Sequence, residues 1–199
     1  MSEIINSYIK TYLIGPMEKT KAGDSGRGWR DKIRPDLESL VDQYGCPVYV
    51  FDPTREETCK VDMEPKVFHK KIMGWIASGN NDKVAEGTTL IWHGKSTLEP
   101  TEDPSRFKLV HIMGDIDYVR KSTFLIMRME EGDSPCGTFM EAGIALEHSI
   151  PIFVIQTMPR ENYPVSFTGA VFATGGGFFD NPTQLIEHIQ ATYKLKVKK

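Results

Sequence analysis

The chain has 199 residues, of which 40% are hydrophobic and 26% are charged, and its formal net charge at pH 7 is −3. This mix is typical of a globular protein and excludes an intrinsically disordered chain. The small negative charge provides no electrostatic footprint for a nucleic-acid polymer. No apolar run approaches the ~18 residues of a membrane span, and no signal-peptide pattern is present. The sequence therefore predicts a soluble cytoplasmic protein with a single domain, 1–199.

The three cysteines, Cys46, Cys59 and Cys136, form no CxxC pair. Reduced thiols are the expectation for such a chain in the cytosol. Metal ligation by Cys46, Cys59 and His69 is an alternative, but their spacing matches no zinc pattern. The sequence therefore predicts no metal site.

The first third of the chain predicts a β-loop-α-β unit. Residues 8–14 form the expected first strand, and a polar, glycine-rich stretch follows at 18–28. Apolar residues at helical spacing predict a helix over 29–44, with Gly45 as its C-terminal stop. A second strand is expected over 47–51, which would open a parallel sheet.

The middle, 54–113, is less regular and is expected to be an insertion or a lid. It contains a predicted helix over 65–77, a polar break at 78–82, a β-rich run at 88–94 and a loop over 96–106.

Strand and helix patterns alternate again after residue 113. The predicted elements are a helix over 114–121, a strand over 123–127, turn residues at 130–137, a helix over 138–147, a strand over 150–155, a glycine-rich turn at 175–177 and a helix over 182–193. The basic tail, 194–199, is expected to be a frayed helix end. The alternation predicts a doubly wound α/β fold, flavodoxin- or Rossmann-like, with a mostly parallel five-stranded sheet flanked by helices. Ligands bind such sheets beyond the carboxyl ends of the strands.

The first strand runs into Gly15, Pro16 and Met17, followed by the glycine-rich stretch. Backbone N–H groups there can meet a phosphate or a sugar hydroxyl, although the GK[ST] of a P-loop is missing. Arg27 and Arg30 would add charge-assisted contacts to an anionic ligand. The alternative interpretation is a plain loop with unpaired arginines at the surface.

Two carboxylates also lie near predicted strand ends. Asp115 begins a short helix, where an aspartate can be a simple cap. Glu141 lies one turn into the helix GTFMEAGIA, 137–145, among apolar neighbours. It should be partly buried and needs a partner or a task. Glu147, at the far end of that helix, is better explained as a solvated residue.

Three motifs together resemble the nucleoside 2-deoxyribosyltransferase family and the related 2′-deoxynucleoside 5′-monophosphate N-hydrolases. They are YLIGPM at 12–17, an aspartate eight residues before a strand, and GTxxExGxA at 137–145 followed by an apolar strand. The resemblance covers 12–45 and 114–156, and the middle of the chain does not match. GTFMEAGIALEHSIPIFVI is its most specific part.

The resemblance implies that Glu141 is a nucleophile that forms a covalent ester with the anomeric carbon of the sugar. Asp115 would protonate the leaving base, with Asp117 as the alternative, and Tyr12 would orient the nucleophile. No metal or organic cofactor is implied. The expected substrate contacts come from the loop after the first strand and from the start of the nucleophile's helix: Gly15, Pro16, Met17, Arg27, Arg30, Asp117, Asp133, Ser134, Gly137 and Thr138.

One position departs from the transferase pattern. These enzymes usually carry an aspartate two residues before the Gly of GTxxExG, where it holds the sugar's 5′-hydroxyl, and this chain has Pro135. Ser134 and nearby backbone N–H groups could instead accept a 5′-phosphate, whereas a shift of register would return Asp133 to the role. The departure favours a phosphorylated substrate.

The sequence thus predicts cleavage of the N-glycosidic bond of a (deoxy)nucleoside or nucleotide, with transfer of the deoxyribosyl group to a free nucleobase. The alternatives are a nucleoside 5′-monophosphate N-hydrolase, a non-catalytic nucleotide-sensing module, and an enzyme that cleaves NAD. Because relatives are usually homo-oligomers, a dimer or larger assembly is expected.

Overall fold

The computed structural model describes residues 9–16, 27–54, 65–101, 107–133 and 135–198. The chain divides into two compact units. The first, which we call the sheet unit, combines Met1–Asp52 with Val119–Lys199. The second, the hairpin unit, is Pro53–Tyr118 and includes the range 54–113 that was expected to be an insertion or a lid.

The elements are numbered in chain order. The strands are β1 (Lys10–Ile14), β2 (Leu40–Val41), β3 (Tyr49–Phe51), β4 (Lys95–Pro100), β5 (Phe107–Ile112), β6 (Phe124–Arg128), β7 (Ile152–Ile155), β8 (Gly177–Phe179) and β9 (Lys196–Val197). The α-helices are α1 (Arg27–Glu38), α2 (Pro65–Ala77), α3 (Asn81–His93), α4 (Asp115–Lys121), α5 (Cys136–Glu147), α6 (Val165–Ala173) and α7 (Pro182–Tyr193). A short 3₁₀ helix covers Arg160–Asn162.

Five parallel strands form the central sheet in the order β3-β1-β6-β7-β8. This confirms the predicted doubly wound α/β fold, and the order is the flavodoxin-like one. From β1 the chain moves outward to β3, and it later returns to β6 and moves outward in the opposite direction. The order therefore reverses between β1 and β6, and ligands of such sheets bind beyond the strand ends at this switch point.

The two faces of the sheet are covered by different helices. Alternate strand residues form one apolar core with α1 and α7, and its members include Leu13, Ile126 and Phe153. Since crossovers between parallel strands are right-handed, reversing the direction of travel places α5 and α6 on the opposite face. The buried residues of α5 and α6 accordingly lie outside that core cluster.

The helix predicted over 29–44 ends at Glu38 instead. Leu40–Val41 form β2, which pairs antiparallel with Lys196–Val197. The expectation of a frayed helix end for 194–199 is therefore wrong, because these residues include a paired strand. Gly45 lies in a turn with φ +82° and is not the end of a helix.

The hairpin unit contains α2, α3 and the antiparallel pair β4–β5. The predicted bounds of α2 are confirmed. The β-rich run 88–94 lies largely in α3, so that prediction is wrong. The side chain of Asn80 accepts a hydrogen bond from Lys83 N and caps α3. The predicted loop 96–106 includes most of β4, and 102–106 lie outside the described residues.

The remaining corrections concern the carboxyl-terminal third of the chain. No helix was predicted for Val165–Ala173, which form α6. The glycine-rich turn expected at 175–177 ends in the strand β8. The last helix, Pro182–Tyr193, has its predicted bounds. None of the described helices combines the length and the apolar character that a membrane span requires.

Candidate active site at the switch point

Two segments leave the sheet at the switch point. Gly15 and Pro16 follow β1, and the segment that begins at Met129 follows the neighbouring β6, which precedes α5. The strands β1 and β6 pair from Thr11↔Phe124 to Ile14↔Met127, so their carboxyl ends are adjacent. The strand that carries most of YLIGPM and the strand that leads to GTxxExGxA therefore end side by side in the sheet unit.

Glu141 lies on the inner face of α5. The buried residues of this helix are Thr138, Glu141, Ala142 and Ala145, which follow helical spacing along one side. Only 7% of Glu141 is exposed, as the sequence predicted. A carboxylate so withdrawn from water needs polar partners or a chemical task.

Tyr12 lies in the middle of β1 and is fully buried. It pairs in register with Phe51 on one side and Leu125 on the other. Because side chains alternate along a strand and Leu13 belongs to the core under α1 and α7, Tyr12 points toward the face covered by α5. Tyr12 and Glu141 therefore lie on the same side of the sheet.

Gly15 is held where another residue would not fit. Its φ is +155°, and a Cβ added there would lie 2.6 Å from the carbonyl oxygen of Arg128, at the end of β6. The close approach of two main chains explains the glycine. Pro16 is buried beside it, and Met17 lies outside the described residues.

Arg30 is completely buried, so the interpretation of it as an unpaired surface arginine is wrong. Its Nε donates to the carbonyl of Leu13 at 3.1 Å and its Nη2 to that of Gly15 at 2.9 Å. Its predicted contact to an anionic ligand stays a prediction. Arg27, the first residue of α1, is exposed.

Asp133, Ser134 and Pro135 are the residues just before α5. Asp133 closes a turn: its Oδ2 accepts a hydrogen bond from Glu130 N at 2.8 Å. Ser134 lies outside the described residues. Pro135 occupies the N-cap position without a side-chain hydrogen bond, and the first turn of α5 carries no acidic residue.

Gly137 precedes Glu141 by four residues, on the same side of α5. It is exposed, and a Cβ added there would meet no atom within 4 Å. Packing inside the described chain therefore gives no reason for a glycine at this position. Thr138, next to it, is buried.

Asp115 and Asp117 belong to the hairpin unit, unlike Glu141 and Tyr12. Asp115 is the first residue of α4 and is 5% exposed. Asp117 accepts a hydrogen bond from Gly114 N at 3.3 Å, and its Oδ2 lies 2.7 Å from His111 Nε2. Asp117 thus has the cap-like contact that the sequence suggested for Asp115.

Sequence reasoning missed two groups of polar residues. Ser96 and His111 face each other across β4 and β5, with Ser96 Oγ 2.8 Å from His111 Nδ1. The pair was missed because the sequence predicted a β-rich run at 88–94 and a loop from residue 96, whereas α3 extends to His93 and β4 covers Lys95–Pro100. Asp52, directly after β3, is fully buried beside Arg30. Its only signal in the sequence is a carboxylate at the end of a strand.

The described residues contain no group of three or more His, Cys, Asp or Glu side chains placed to hold a metal ion. Of the three residues considered as metal ligands, Cys59 lies outside the described part. Comparison with protein-family models and with curated proteins finds no match to this chain. The resemblance to the deoxyribosyltransferases therefore rests on the motifs themselves.

Proposed function

We propose that the protein cleaves the N-glycosidic bond of a deoxynucleoside or deoxynucleotide and transfers the deoxyribosyl group to another nucleobase. One observation carries the proposal: Glu141 is a buried carboxylate on the helix that leaves the sheet at its switch point. The position is the one where doubly wound folds bind small ligands. Tyr12, fully buried on the same side of the sheet, supports it.

The reaction requires two steps. In the first, a Glu141 oxygen attacks the anomeric carbon, the bond to the base nitrogen breaks, and the base leaves with a proton. In the second, a nitrogen of another base attacks the same carbon, loses its proton and releases the carboxylate. Tyr12 orients Glu141 in both steps. Both steps balance in atoms and in charge without a metal ion.

Asp115 is the proposed proton donor to the leaving base. It is assigned by the chemistry of the reaction and by its burial at the start of α4. A carboxyl group that protonates the leaving base in the first step can accept the proton of the incoming base in the second. Asp117 is the weaker candidate, because its carboxylate already contacts His111 and Gly114 N.

The start of α5 favours a second candidate, hydrolysis of a deoxynucleoside 5′-monophosphate. Pro135 replaces the aspartate that would hold a free 5′-hydroxyl, and no acidic residue lies in the first turn of the helix. The positive end of a helix with no acidic residue in its first turn is compatible with a phosphate. In this version, water takes the place of the second base.

The experiment is an incubation with deoxynucleosides, deoxynucleoside monophosphates and NAD, each with and without a second free base. Exchange into the added base supports the transferase. Base release without exchange supports the hydrolase, and release of nicotinamide alone supports NAD cleavage. Tight binding of a nucleotide with no turnover would identify a sensing module and contradict the proposal.

Replacing the nucleophile is the sharpest test of the mechanism. Glu141→Gln keeps the size of the side chain but removes its charge, and we expect base release to fall at least ~10³-fold. Glu147→Gln, on the exposed end of the same helix, is the matched control and should retain full activity. Equal activity of the Glu141 variant and the wild type would exclude Glu141 as the nucleophile.

A further inference from the structure

The first strand of the sheet continues past the end of one of its neighbours. Pairing of β1 with β3 stops at Tyr12↔Phe51, whereas pairing with β6 continues to Ile14↔Met127. The carbonyl of Ile9 accepts from Tyr49 N at 2.9 Å, on the β3 side. Carbonyls alternate along a strand, so those of Leu13 and Gly15 also point to this side, beyond the last residue of β3.

The side chain of Arg30 takes the place of the missing strand. Its Nε and Nη2 donate to the carbonyls of Leu13 and Gly15 at 3.1 and 2.9 Å. Buried carbonyls need such partners, and the rigid fork of a guanidinium can serve two of them at once. A lysine has only a single ammonium group and cannot reproduce this geometry.

The buried charge of Arg30 is balanced within the same cluster. Asp52, the residue that follows β3, is also fully buried, and its Oδ1 lies 3.9 Å from Arg30 Nε. The guanidinium carbon lies 4.8 Å from the centre of the Trp29 ring. Arg30 and Asp52 thus join α1 to the carboxyl ends of β1 and β3.

We infer that Arg30 and Asp52 are a positioning pair, which fixes the main chain of Gly15 and Pro16 for binding the sugar or phosphate part of the substrate. This inference rests on the proposed function. Both side chains are fully buried, so the inferred role acts through the main chain that Arg30 holds. Their contribution is to binding in the ground state and in the transition state alike, because the proposed nucleophile Glu141 lies on another element, α5. Loss of the pair therefore raises KM and leaves kcat nearly unchanged.

The test compares Arg30→Lys with Arg34→Lys, one turn further along α1, where the arginine pairs with Glu38 at the surface. Hydrogen exchange of the amides from Leu13 to Gly15 should become roughly 10-fold faster in the Arg30 variant. KM should rise roughly 10-fold, with kcat within about threefold of the wild type. The Arg34 variant should change none of these quantities.

Two results would overturn the inference. One is unchanged exchange and KM in Arg30→Lys. The other is a lower Tm and a lower kcat at constant KM, which would show a purely structural role. Asp52→Asn replaces Arg30→Lys if that variant does not fold, with the same expected result. If the wild type turns over no substrate, the proposed function fails, and the exchange measurement alone still decides whether Arg30 holds this segment.

Discussion

At the carboxyl end of β1, the protein's own atoms occupy the space around the main chain, whereas at the start of α5 no described residue crowds the glycine of the first turn. A methyl group on Gly15 would collide with the carbonyl of Arg128, and Arg30 occupies the carbonyls of Leu13 and Gly15. A methyl group on Gly137 would touch no atom of the described residues within 4 Å.

The two positions therefore carry a glycine for different physical reasons. Gly15 is required by the fold, because its conformation and its surroundings exclude a side chain. Gly137 has no such requirement, and an α-helix is more stable with almost any other residue. A ligand that approaches the helix closely would explain why Gly137, four residues before the buried Glu141, is a glycine. Each explanation can be tested by replacing the glycine with alanine.

Gly15→Ala should have the largest effect on stability. The positive φ and the collision with the Arg128 carbonyl together should lower the free energy of unfolding by about 2–4 kcal/mol. Chemical denaturation of the variant and the wild type measures the difference. A loss below about 0.5 kcal/mol would mean that the end of β1 can move apart from β6, and the contrast between the two regions would disappear.

Gly137→Ala should act in the opposite direction on stability. Alanine favours the helix, so the free energy of unfolding should rise by about 0.5 kcal/mol. The added methyl group should obstruct the ligand and raise KM by about 10-fold. Gly143→Ala is the control: a Cβ on Gly143 would also meet no described atom within 4 Å, but Gly143 lies on the side of α5 away from Glu141. The control should gain stability without a change in KM, and an equal change in both variants would contradict a ligand at Gly137.

The smallest effect concerns Tyr193 of α7, which packs against the core on the face of the sheet that α1 and α7 cover. Burial raises the pKa of Tyr193, which stacks on Phe124, from 10.0 to about 12. The unfolded chain therefore ionises first, so the stability from the neutral phenol is complete below pH 10 and is lost as the pH rises toward 12. As the pH rises from 10.0 to about 12, the free energy of unfolding should therefore fall less for Tyr193→Phe than for the wild type. Tyr44→Phe, at an exposed position, should behave as the wild type does.

The elements that could be predicted are those with strong local signals. Asn181 accepts a hydrogen bond from Gln184 N and precedes Pro182, which marks the start of α7 within the sequence itself. The apolar spacing of α2 gave its bounds in the same way. The burial of Glu141 followed from its apolar neighbours on one helix.

The features that were missed depend on distant partners. Leu40–Val41 fit the apolar spacing of α1, but they leave the helix to pair with Lys196–Val197. The run 88–94 is rich in β-branched residues, yet the cap at Asn80 and the packing of Trp75 and Ile72 against Gly87 favour a helix. The burial of Arg30 arises where β1 continues past the end of β3, which no local pattern shows.

The pairing of β2 with β9 has a consequence for folding during synthesis. The ribosome makes β2 before all the described strands except β1, but its partner β9 follows all five strands of the central sheet. The hydrogen bonds of Leu40 and Val41 across this pair therefore form only after β1, β3, β6, β7 and β8 have been translated. A nascent chain that already holds its sheet still leaves this ladder unformed, which makes it a late step of biogenesis.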